Sequence, residues 1–151
     1  MVSCFFGWPN RASLQAAAAA QKAVIGQYGR VLTLSVIPPL EVQVARSASV
    51  ALTLTGPERE SVLKDTAGIT DDLSAQTIGS AIVILASGVV GVMVRPFIAG
   101  MSLLARSQTP LKSFRTIPEA VAFLEGLPGS PGPFPRLAED VEHWIQSPRA
   151  G

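Results

Sequence analysis

The sequence predicts a small α/β domain: a mainly parallel sheet of four or five strands with crossover helices, followed by a C-terminal tail helix. Three observations carry this expectation. RVLTLSVI over 30–37 reads as a clean strand, and SAIVILA over 80–86 has the β-branched texture of a strand buried on both faces. Stretches with apolar residues at helical spacing alternate with them along the chain. The third is a capped helix signature, Thr116-Ile117-Pro118-Glu119, placed directly after a short strand-like segment.

The first element is a short apolar run over residues 2–8, read as an edge or first strand. Asn10 or Ser13 is placed to cap a helix from about Ala12 to Tyr28, whose Leu14, Ala17, Ala18, Val24, Ile25 and Tyr28 share one face. The five alanines Ala16–Ala20 favour helix and permit close approach to a sheet. Gly29 is suited to end that helix in a left-handed conformation. Arg30–Ile37 is the clearest strand, closed by Pro38-Pro39. Residues 40–55 fit either strand or helix, and helix is preferred because parallel strands need a crossover. Gly56-Pro57-Glu58 starts a further helix, expected to end near Gly68.

Ser80–Ala86 is the central strand, and Ser87-Gly88 breaks it. Beyond lies either a second strand over Val89–Val94 or one helix from about Gly88 to Arg106 kinked at Pro96. Leu111–Arg115 is a short strand. Val121, Phe123 and Leu124 form the expected buried side of the helix that Thr116 caps and Gly126 ends. Three regions follow: an α/β domain over 1–126, a Pro/Gly linker over 127–135, and an amphipathic tail over 136–151. In the tail, Leu137, Val141, Trp144 and Ile145 lie at i, i+4, i+7 and i+8. No internal repeat is present.

Composition narrows the function classes. The chain has 151 residues, 48% of them hydrophobic and 15% charged, so it holds ample apolar surface for a core. Net charge is +1, too small to create a global field for nucleic acid. One cysteine and one histidine exclude disulfide frameworks and Cys/His metal cages. Residues 73–94 form a 22-residue run without charge, long enough to cross a bilayer. Its three glycines, its serines and the Ser87-Gly88 turn favour a core strand instead, so a membrane span is disfavoured. The N-terminus lacks a basic region and does not read as a secretory signal. The expectation is a soluble cytoplasmic protein.

No complete catalytic set emerges. His143 sits beside Trp144 in the tail and reads as a surface residue, and Cys4 reads as buried and inert. Asp71-Asp72 and Glu58/Glu60 lack a calcium-loop pattern and read as solvated surface. Phosphate-binding and dinucleotide-binding fingerprints are absent. No enzyme activity, cofactor or metal is expected.

Three segments carry a family resemblance: RVLTLSVIPP, GSAIVILASGVVGVMVRPFIAGMSLLAR and PLKSFRTIPEAVAFLEGL. Together they resemble the SpoIIAA-like branch of the STAS domains, the anti-sigma-factor antagonist type related to CRAL-TRIO, over roughly residues 2–126. The final strand, capped helix and Ala-Val-Ala-Phe-Leu run match that branch, as does a helix with Gly88 or Gly91, Arg95, Gly100 and Leu103–Arg106. The resemblance implies a non-enzymatic bacterial regulatory module working through a protein partner. It also implies a phosphorylatable serine after the central strand, where Ser87 stands. Ala86 replaces the aspartate usual beside that serine, and a helix-cap role for Ser87 is preferred.

The candidate interaction residues are therefore Ser87, Gly88, Arg95 and Arg106, with Trp144 and Ile145 as tail anchors. Arg95, Arg106, Lys112 and Arg115 form a basic stretch without acids, which the tail's Glu139, Asp140 and Glu142 complement. The tail is thus expected to fold back or to hold a partner. The alternative function is a carrier for an apolar small molecule or lipid, with its pocket under Val92–Leu104. A single-pass membrane anchor over 73–94 ranks third.

Overall fold

The computed structural model describes residues 1–4, 11–39, 56–85 and 109–147. Its elements are β1 (Val2–Cys4), α1 (Arg11–Tyr28), β2 (Val31–Ile37), α2 (Gly56–Leu73), a 3-10 turn (Ser74–Gln76), β3 (Thr77–Ile84), β4 (Leu111–Phe114), α3 (Ile117–Glu125) and α4 (Leu137–Gln146). The strands form one sheet in the order β1-β2-β3-β4, and every pairing is parallel. The α/β class, the parallel sheet and the C-terminal helix agree with the sequence expectation. The ambiguous segment 40–55 and the alternatives for 89–95 lie outside the described residues.

The pleat sorts strand residues onto two faces. One face carries Leu32, Leu34, Val36, Ala81, Val83 and Phe114, and α3 packs on it. Ile117, Ala120, Val121 and Leu124 supply the buried stripe of α3 at i, i+3, i+4 and i+7. Phe123, expected among them, lies on the flank of that stripe and is only half-buried. The other face meets α1, whose Gln21 Nε2 donates to Thr77 Oγ1 at 2.9 Å. There Thr33 Oγ1 donates to Ser80 Oγ at 2.7 Å, so two inward hydroxyls of neighbouring strands satisfy each other. A register irregularity between Val31 and Leu32 opposite 77–79 turns Thr77 to this side, where its hydroxyl donates to Leu73 O at 2.7 Å.

Several boundaries differ from expectation for identifiable reasons. Helix α2 passes through Gly68 and continues to Leu73, because buried Leu73 anchors the last turn. A glycine costs a helix only about 1 kcal/mol and stops it only with help from a left-handed cap. Gly29 provides such a cap, with φ +79° and its N–H donating to Ile25 O. Strand β3 begins three residues earlier than expected, at Thr77, and ends at Ile84. Leu14, Ala17, Ala18, Val24 and Ile25 of α1 are half-buried or buried as their spacing predicts, whereas Tyr28 in the last turn is exposed.

The Pro/Gly segment over 127–135 has no helix or strand, yet it is fastened to the domain. Leu127 and Phe134 pack on the main core, and Phe134 N donates to Glu125 Oε1 at 2.6 Å. Gly79 is the strand position that admits Leu127: a Cβ there would overlap Leu127 Cδ1. Helix α4 then lies against α3 and places Val141 and Ile145, 5% and 3% exposed, in the same core as the sheet. The tail is thus a structural part of the domain's core.

Candidate functional site

Ser87, Gly88, Arg95 and Arg106 lie outside the described residues, as does the Val92–Leu104 stretch assigned to the carrier pocket. Strand β3, which leads into them, ends at Ile84. Of the two tail anchors, Ile145 is buried, whereas Trp144 is 36% exposed at the margin of the helix. The buried line of α4 runs through Leu137, Val141 and Ile145, spaced by four, and Trp144 lies to one side of it. The tail acids meet none of the basic stretch among the described ion pairs. Glu139 instead lies 3.9 Å from Arg136, the residue that precedes its own helix, with both side chains exposed.

The other titratable candidates are dispersed. His143 Nδ1 is 3.3 Å from Ser147 Oγ on the exposed side of α4. Cys4 is half-buried against the sheet core. Glu60 pairs with Lys64 one turn on at 2.9 Å; this contact lowers the Glu60 pKa and raises that of Lys64. Asp65 sits 3.2 Å from Arg11 and ties α2 to α1. Asp71 Oδ1 is shielded from solvent and has no hydrogen-bond donor among the described residues. The Met1 amine donates to Leu32 O at 2.7 Å, and burial holds its pKa below the ordinary value. Among the described residues no group of three His, Cys, Asp or Glu side chains could hold a metal ion. No described helix is long and apolar enough to cross a membrane.

One corner does gather several functional groups. Among the described residues, strand β4 is the last in the sheet and pairs with β3 alone. Lys112 extends from it with Nζ 5.5 Å from the Phe114 ring centre and 6.0 Å from that of Phe123. The two rings are 5.2 Å apart and tilted by 45°, one from the strand and one from α3. A cation over aromatic faces is held electrostatically while its outer N–H groups remain available. Arg115 and Thr116 follow, both exposed, before Ile117 is buried as the first residue of α3. Thr116 Oγ1 accepts from Glu119 N at 3.4 Å, which is the predicted cap and fixes where the helix departs from the strand.

Sequence reasoning identified Lys112 and Arg115 only as part of a basic stretch. It missed the aromatic pair, because Phe114 and Phe123 meet across a strand–helix turn. The signal was present: Thr116 fixes the turn, and Phe123 falls one position from the buried stripe.

Compared with known proteins, the chain matches no family model, no curated protein and no solved structure.

Proposed function

We propose that this chain is a non-catalytic, cytoplasmic protein-interaction module with a regulatory role, of the STAS/SpoIIAA-like kind its element order resembles. The observation that supports this reading is the β4–α3 corner, where the last strand of the described sheet presents Lys112 on an aromatic pair beside Arg115. Aromatic and cationic groups held together on a rigid scaffold are typical anchors of protein recognition. A fixed sheet edge and a capped helix position them without an ordering cost on binding.

The test is affinity capture from the native host with the full chain beside Lys112→Glu/Arg115→Glu. A protein retained by the wild type and lost from the folded double variant supports an interaction module acting through this corner. Equal retention by both would move the surface elsewhere. A wild-type preparation that retains no protein but carries an apolar ligand in native mass spectrometry would replace the proposal with the carrier reading.

A further inference from the structure

We propose that β4 is a docking edge that takes up an extended, acidic segment of a partner protein by strand addition. The inference rests on the interaction reading above and specifies its partner and mode.

The register determines which backbone groups are available. Ser80 is the register partner of Leu111, and Ser80 N donates to Pro110 O at 2.8 Å. In a parallel ladder a residue bonds the two neighbours of its register partner, so Pro110, Lys112 and Phe114 turn their polar backbone atoms toward β3. Leu111 and Ser113 therefore turn their N–H and C=O groups away from the sheet. These four groups have no hydrogen-bond partner among the described residues. Their two-residue repeat is the spacing at which an incoming strand offers its own donors and acceptors.

Charge selects the occupant. From Leu111 to Thr116 the chain has two cations, Lys112 and Arg115, and no acid, and Lys112, Ser113 and Arg115 are exposed. A lysine on an edge strand discourages indiscriminate pairing with apolar strands. The same lysine, held over Phe114 and Phe123, rewards a strand with a carboxylate beside it and an apolar residue for the rings. A second copy of this chain fits poorly, because two-fold pairing of β4 with itself would gather two Lys112 and two Arg115 side chains.

Ser113 allows a clean test. Its outward N–H makes no ladder bond to β3, so Ser113→Pro removes one docking donor while retaining the β3–β4 bonds. Binding of a fluorescein-labelled peptide of alternating Glu and Val would be followed by anisotropy against the full chain, with an alternating Lys and Val peptide as control. The expected result is binding of the acidic peptide, weakened at least about tenfold by Ser113→Pro and by Lys112→Glu but not by Ser113→Ala. Circular dichroism and melting curves establish that each variant is folded. Absence of acidic-peptide binding, or equal binding of both peptides, would overturn the proposal. So would undiminished binding by folded Ser113→Pro, even if host-partner capture still depended on Lys112 and Arg115; the interaction reading would then survive without strand addition. Sedimentation showing a wild-type dimer that Ser113→Pro dissociates would assign the edge to a second copy and overturn the acidic occupant.

Discussion

The Glu125 carboxylate accepts a hydrogen bond from the Phe134 backbone N–H at 2.6 Å, closing the Pro/Gly segment over the end of α3. This bond joins the last residue of one helix to the approach of the next. It holds Phe134 on the core and sets α4 on its path. A charge-assisted bond of this kind contributes about 1.5–3 kcal/mol where it is shielded from solvent. Glu125→Ala is expected to cost about 2 kcal/mol, lowering Tm by roughly 4–8 °C, with most of the loss recovered in Glu125→Gln. Thermal unfolding of the three proteins checks this, and equal melting of Glu125→Ala and wild type would remove the bond from the fold's energetics.

Burial separates the two apolar residues in the last turns of α4. Ile145→Ala should destabilise the protein by about 2–4 kcal/mol, since it empties part of the core. Trp144→Ala should cost less than about 1.5 kcal/mol, because the indole lies at the margin of the interface. Urea unfolding of both variants would measure the difference, and a larger loss for Trp144→Ala would mean that the helix is rotated from the orientation described.

Gly79 and Leu127 form a complementary pair. Gly79→Ala should destabilise by about 1–3 kcal/mol through overpacking against Leu127. The double variant with Leu127→Ala should melt above the level expected from adding the two single losses. A double-mutant cycle gives the coupling, expected at about 1 kcal/mol or more for side chains in direct contact. Strict additivity would contradict the packing.

Arg136 precedes α4 in the left-handed region, with φ +68°. A non-glycine residue there carries a steric penalty of about 1–2 kcal/mol. Arg136→Gly should therefore raise stability by about 0.5–1 kcal/mol, although glycine adds freedom to the unfolded chain and the exposed 3.9 Å contact to Glu139 is lost. Chemical denaturation reads this directly, and a clear loss of stability would show that the Arg136 side chain supports the turn.

Local pattern made much of the fold legible. The apolar runs around 31–37 and 77–84 could be satisfied by burial on both faces, which is what a central parallel strand receives. The Thr116 cap was readable because its donor and acceptor lie three residues apart. Gly29 was readable because its positive φ is a property of the residue and its own helix end. The candidate site was less legible, since the contacts that join its strand to Phe123 of α3 are not local. Lys112 was visible only as a charge, and its seat on Phe123 depends on where α3 crosses the sheet.

By itself, the sequence determined the α/β class, the described strands β2, β3 and β4, the Thr116 and Gly29 caps and the amphipathic tail, because each depends on interactions within a few residues or on periodic burial. Tertiary structure alone decided that Ile145 and Val141 enter the core while Trp144 stays at its margin. It also decided that Leu127 fills the space above Gly79 and that the Phe134 amide finds Glu125. Most consequentially, it decided that Leu111 and Ser113 turn their backbone groups away from β3, on the last strand among the described residues. Strand order determines which strand is left at the edge, and register determines which of its residues face outward. Both are set by pairings across dozens of residues, which local propensity does not encode.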